Sequence, residues 1–354
     1  MNPSNPKEIA LGAVSYLNAQ PLLEVIPFPI LKEVPSKLLS IFNTGVVDAA
    51  LLSVYDILQM VEPEVVDGVA IGCRGPVYSV ILAYEGELKD IKEILLDPAS
   101  HTANNLLKII LAEFYDLHPW YITTNSSSLS AGAQLTLSPL QESLSRPVSS
   151  IDNTNFNQRT NQPPTSNLQP ITTIRPVGRI DTPRLIIGDP AIVFRQSAPC
   201  AIRHFSKLAY ADEVQGVDGA QKLSVQKLLD TSSPGATKQF AAEVELGKVS
   251  ILDLGEEWYN FTKLPFIFAM WCLNKNSAHK KHLTEILKSA KEEGLLHREA
   301  IAAAQSDPKL ALHYLTESIR YDLGQEERRG LELFRFLLRK YKLLDCSEGM
   351  MKYC

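Results

Sequence analysis

Four short stretches of the chain end apolar runs in groups that donate or accept hydrogen bonds: Ser15-Tyr16-Leu17-Asn18, Arg74-Gly75-Pro76 with Ser79 close behind, Ser100-His101-Thr102, and Gly188-Asp189. Hydroxyls, amides and backbone N–H groups at such places suit a small ligand, because in an open α/β sheet ligands sit beyond the carboxyl ends of strands and against helix starts. Together the four outline a donor-rich cleft. Spacing alone leaves each a structural role as well. Ser15 and Asn18 read as caps of the next helix, and Ser100 and Thr102 as caps of theirs. Arg74-Gly75-Pro76 reads as a turn, and Asp189 before Pro190 as a turn or helix start. The sequence has no GxGxxG after a strand, no GxxxxGK[ST], no GxSxG and no HExxH. Its histidines form no metal-spaced set, and Cys73, Cys200, Cys272, Cys346 and Cys354 make no CxxC pair, so free thiols in a reducing compartment and no metal are expected.

The elements that must position these groups alternate strand and helix. "LGAVSYL" reads as a strand, "PSKLLSIFNTG" as a helix opened by Pro35-Ser36 and closed by Gly45, and "VVDAALLS" as a strand leading into "VYDILQM". Two strand-like runs follow, broken at Arg74-Gly75-Pro76. A strand, a polar turn and one long helix come next, the helix read from Leu106, Leu107, Ile110, Leu111 and Phe114 at helical spacing. From Asn125 to Pro170 Ser, Asn, Gln, Thr and Pro dominate, and a disordered insertion is expected because such a stretch buries too little apolar surface to offset chain entropy. "RLIIGDPAIVF" restores a strand. The region from Arg195 to Val249 is again polar, with a short helix over Ala220–Leu229. The last third holds a helix, a buried strand and more helices, the final one with Leu331, Phe334, Leu338 and Tyr341 on its apolar face and Glu326, Glu327, Arg328, Arg329 and Arg339 on the solvated one.

A length of 354 residues suggests two domains, or one large one with insertions. The net charge of −5 lacks the positive footprint of a nucleic-acid binder. No run approaches the roughly 20 apolar residues of a membrane span, and the N-terminus lacks a signal h-region, so a cytoplasmic protein without membrane or nucleic-acid partners is expected.

Taken in order, "GAVSYLNAQPL", "VPSKLLSIFNTGVVDAALLSVYDIL", "GCRGPVYSVIL", "DPASHTANNLLKIIL", "LIIGDPAI", "DLGEEWYNFTKLPFIFAMW" and "IRYDLGQEERRGLELF" resemble the chorismate dehydratases of the futalosine route to menaquinone. The resemblance spans nearly the whole chain outside the two polar regions. It implies an α/β fold like that of type-2 periplasmic binding proteins, two lobes around a ligand cleft, with residues 1–87 and 254–354 in one lobe and 88–253, including the insertion 125–170, in the other. It carries the family's catalytic asparagine onto Asn18 and its catalytic serine onto Ser79. Chorismate is then the substrate, dehydrated to 3-[(1-carboxyvinyl)oxy]benzoate without a cofactor. Ser15, Ser100, Thr102 and the N–H groups after Ser100 are candidates for holding its two carboxylates, with Arg74, Gly75, His101 and Asp189 beside them. Relatives read Ser-Ser-Arg-Thr-Ser where this chain reads Ala99-Ser100-His101-Thr102-Ala103, so His101 stands in for an arginine. The sibling enzyme acting on cyclic dehypoxanthine futalosine and a non-catalytic binding protein of the same fold remain the alternatives.

Overall fold

The computed structural model describes residues 9–124, 135–138, 182–197, 202–203, 249–344 and 351–354. The expected insertion 125–170, apart from 135–138, lies outside the described residues, as do the helix expected at 220–229, Cys200 and Cys346.

Strands β1 (Leu11–Ala13), β2 (Ile30–Lys32), β3 (Ala49–Ser53), β4 (Glu64–Cys73), β5 (Val80–Glu85), β6 (Glu93–Leu95), β7 (Trp120–Thr124), β8 (Leu135–Ser138), β9 (Arg184–Ile187), β10 (Ile202–Arg203), β11 (Val249–Asp253), β12 (Phe266–Leu273) and β13 (Lys352–Tyr353) form two sheets. The first runs β13-β4-β12-β3-β1-β2 and the second β10-β11-β5-β9-β6-β7-β8. In the first, β1 is parallel to β2 and β3, while β12 enters antiparallel between β3 and β4. In the second, β5 is antiparallel to both β9 and β11. The chain therefore passes from the first sheet to the second between Cys73 and Val80 and returns between Asp253 and Phe266. The first passage falls earlier than the boundary expected at residue 87. The resemblance puts Val80–Glu85 with the first lobe, but the hydrogen-bond partners of this strand are β9 and β11.

Local chemistry explains the helices. Helix α1 (Pro35–Asn43) starts with a proline whose missing N–H costs nothing there, and it ends before Gly45, whose φ of +72° suits the left-handed position after a helix. Ser53 caps α2 (Val54–Leu58), Ser100 caps α3 (His101–Ile109), α4 covers Asp189–Ser197, and Asp253 caps α5 (Leu254–Thr262). The single long helix expected after Ser100 instead widens into a π turn at Ile110–Phe114. Helices α6 (Lys280–Leu296), α7 (Arg298–Ala303), α8 (Pro308–His313) and α9 (Gln325–Lys340) follow, with a second π turn at Tyr314–Ser318. Leu331, Phe334 and Leu338 of α9 are buried as their spacing predicts, and Phe334 packs edge-on against Trp258 and Phe266. Every residue of β5 but the last is buried, Leu82 and Tyr84 facing the main core and Ile81 and Ala83 a smaller one, as in a strand covered on both faces.

Candidate active site

Where β1 gives out, the chain turns through a short 3-10 helix, Leu17–Leu22, whose entry residue Tyr16 offers no side-chain cap. The cap comes from the other sheet. Oδ1 of Asp189, at the start of α4, accepts the Leu17 N–H at 3.1 Å. This answers the capping expectation for Asn18: its amide is not spent on the helix. Instead its Nδ2 donates to the Tyr314 hydroxyl at 3.1 Å, and that hydroxyl donates to Ser79 Oγ at 2.8 Å.

Ser79 sits on the passage between the sheets and is 1% exposed. Asp253 fixes this passage by accepting the N–H groups of Val77 and Tyr78 at 3.0 and 2.8 Å, while Arg195 neutralises the same carboxylate at 2.8 Å. Tyr78 adopts a φ of +63°, a left-handed backbone uncommon for a bulky residue, and the paired N–H bonds to Asp253 hold it there. The Ser79 carbonyl in turn accepts the Gly188 N–H at 2.7 Å. Gly188 has a φ of +66°, and a Cβ there would lie 2.8 Å from the Tyr16 ring, so both its backbone and its lack of a side chain are needed.

Asn18 and Ser79 line a cavity between the two sheets, with Tyr16, Ser53, Ser100 and Thr102 as its other hydroxyl-bearing walls and Val14, Leu51, Ile71, Ile187 and Phe268 among its apolar ones. Apolar walls with a few convergent hydroxyl and amide groups suit a small organic ligand. Ser100 caps α3 and presents that helix's N-terminus. Thr102 Oγ1 accepts the Tyr55 N–H at 3.0 Å, tying α3 to α2 across the cleft. Among the described residues, no Asp, Glu, His, Lys or Arg lines the cavity. Burial pushes the Tyr16 phenol up to about 12, helped by Asp97 and Asp189, and raises Tyr314 further still, so both stay protonated.

Of the residues singled out in the sequence, Asn18, Ser79, Ser100 and Thr102 come together here; others do not. Ser15 is exposed outside the cavity. Arg74 pairs with Glu326 at 2.8 Å and Tyr259 at 3.3 Å on the surface, and Gly75, at a φ of +109°, makes its turn. His101 turns to Asp56, its Nδ1 2.8 Å from Oδ1, and this bond raises its pKa against the opposing effect of burial. Asp189 is turned to Leu17 N rather than into the cavity. Two residues escaped the sequence reading. Ser53 ends an apolar strand three residues before Asp56, the same signal that marked Asn18. Tyr314 lies in a helical stretch where nothing local sets it apart. Cys73, Cys272 and Cys354 are free thiols. Among the described residues, no group of three or more His, Cys, Asp and Glu could hold a metal ion, and no helix is long and apolar enough to cross a membrane.

A sequence model described as "Menaquinone biosynthesis" matches residues 9–136 and 238–340. A protein of Thermus thermophilus named chorismate dehydratase is 25% identical over 333 residues, covering 92% of this chain and 93% of its own. Among solved structures, protein AF1704 of Archaeoglobus fulgidus superposes with a TM-score of 0.51 at 11% identity, covering 95% of this chain and 98% of that one. The periplasmic aliphatic sulphonate binding protein of Escherichia coli gives 0.45 at 12% identity, with 97% and 95% covered.

Proposed function

The chain belongs to the menaquinone biosynthesis family, and from that premise we propose that it acts as a chorismate dehydratase, a hydro-lyase that converts chorismate to 3-[(1-carboxyvinyl)oxy]benzoate and water. The observation that carries the reading is the convergence of Asn18, after β1, and Ser79, on the passage between the sheets, on one small uncharged cavity.

The chemistry fits such a cavity. The proton to be lost sits on the ring carbon bearing the enolpyruvyl ether and is conjugated through the ring alkene to a carboxylate. Hydroxide leaves the neighbouring carbon, and the C–H electron pair becomes part of an aromatic ring. A strong protein base is therefore less necessary than in most dehydrations, and no carboxylate or imidazole of the described chain faces the cavity. In this reading the substrate's own enolpyruvyl carboxylate takes the proton. Asn18 and Ser79 hold it and the departing hydroxyl in place, and the proton and hydroxide leave together as water. Ser100, Thr102 and the first turn of α3, with its positive dipole end, hold the other carboxylate. Asp189 acts through the backbone of Leu17, and His101 and Arg74 act outside the cavity.

The test is turnover and binding of chorismate by Asn18→Ala and Ser79→Ala. Both variants lose far more turnover than chorismate affinity if these groups act in the elimination. Unchanged kcat in either removes that residue from the mechanism, and tight binding without turnover by the wild type supports a binding protein instead.

A further inference from the structure

The geometry points to Tyr314 as the positioning residue that fixes which way Asn18 and Ser79 present their hydrogen bonds to substrate; the inference rests on the dehydratase reading. Its hydroxyl stands between the two, 3.1 Å from Asn18 Nδ2 and 2.8 Å from Ser79 Oγ. A phenol carries one proton. Here that proton goes to Ser79, so the group facing Tyr314 from Asn18 must be an N–H, and the amide cannot turn over without placing two acceptors together.

Two consequences follow for the cavity. Ser79 already receives a proton from Tyr314, so its own O–H must point elsewhere, and the cavity it lines offers that direction. Asn18, with Nδ2 committed to Tyr314, leaves its carbonyl oxygen and second N–H for the cavity. The pair thus meets the ligand as a hydroxyl donor beside an amide of fixed orientation. Hydrogen-bonded chains of this kind reinforce one another away from water.

Tyr314 can hold this role because it cannot itself respond. It is fully buried and does not line the cavity, and burial, with the Asp189 charge nearby, keeps its proton in place. It also opens the π turn Tyr314–Ser318, a local widening found in helices where a side chain must be set out of regular register. Asn18 follows β1 and Ser79 stands on the passage between the sheets, so a shared partner also ties their separation to the π turn that follows α8.

The experiment is steady-state dehydration of chorismate by the wild type, Tyr314→Phe, Ser79→Ala and the double variant, with a thermal melt of each. Tyr314→Phe keeps the buried ring and removes only the shared hydroxyl. It should lower kcat at least about tenfold, as expected when reacting groups lose their alignment, with KM changed by less than about threefold. In the Ser79→Ala background the same change should cost much less, because Tyr314 acts partly through Ser79. If Tyr314→Phe does not fold, 3-fluorotyrosine at 314 keeps the shape and changes the acidity of the phenol, and kcat should shift while the melt does not. Wild-type kcat in either substitution, or equal losses with and without Ser79, would overturn the inference while the dehydratase reading stands. A wild type without turnover would overturn both.

Discussion

Gly294 offers a way to disturb the site without touching it. This glycine lies in α6 against the 3-10 helix that carries Asn18, and a Cβ there would lie 1.8 Å from the carbonyl oxygen of Pro21 and 2.9 Å from its carbon. No rotamer relieves this, because the obstacle is backbone. In an open helix Gly→Ala would stabilise by about 1 kcal/mol. Here the two elements must separate by more than about 1 Å to reach ordinary contact. Overpacking of that kind costs about 1–3 kcal/mol, so Gly294→Ala should lose stability despite the better helix former. Pro21 is three residues from Asn18 on one rigid turn, whose Leu17 end is pinned by Asp189. The displacement therefore reaches Asn18, and misplacements of about 1 Å cost up to roughly 10²-fold in rate. The assay pairs a thermal melt with steady-state kinetics on chorismate. A lower melting temperature and a kcat reduced more than KM is raised are expected. A variant as stable and as fast as the wild type would refute the claim that α6 sets the position of Asn18.

Other perturbations have equally definite outcomes. Removing the remote cap with Asp189→Ala leaves the Leu17 N–H without its acceptor at a cost of about 1–3 kcal/mol, and kcat should fall, whereas Asp189→Asn, which keeps an acceptor oxygen, should restore most of it; melts and kinetics of the two variants decide this. Burial raises the Glu257 carboxyl to about 7, against the Tyr115 hydroxyl at 2.5 Å that favours its ionised form, with Glu256 and Asp253 raising it further. Its folded pKa exceeds the unfolded 4.5, so the wild type should lose stability, up to about 3 kcal/mol, as pH rises from 4.5 to 7 and level off above that. Melting curves of Glu257→Gln across this range should lack that fall; parallel curves would remove Glu257 as its source. Asp56 raises the pKa of His101, so their bond between α2 and α3 is fully present below pH 6.5 and weakens as pH rises through the folded value. Wild-type chorismate affinity should decline over that range more than the affinity of His101→Gln, and identical pH profiles would exclude the bond from a part in binding.

Much of this was legible locally. An apolar run marked β3, Pro35 and Gly45 bounded α1, a helical pattern marked α9, Ser100 announced itself as a cap, and strand-end polarity marked Asn18 and Ser79 before the resemblance gave them roles. What escaped depends on partners far along the chain. Tyr314 is 296 residues from Asn18 and 235 from Ser79, and a tyrosine on an apolar helix face looks the same whether or not two polar groups await it. Asp189 read as a turn residue because its partner, the Leu17 N–H, is 172 residues away. Arg74 and His101 looked like charges for a carboxylate ligand, yet Glu326 and Asp56 already take them. Strand β5 pairs with β9 and β11 rather than with its sequence neighbour β4, and its apolarity shows that it is buried but not which sheet buries it.

The most direct measurement is incubation of the purified protein with chorismate and identification of the product by mass. The expected product is lighter by one water and fragments as 3-[(1-carboxyvinyl)oxy]benzoate. Chorismate recovered unchanged from folded protein would contradict the dehydratase reading.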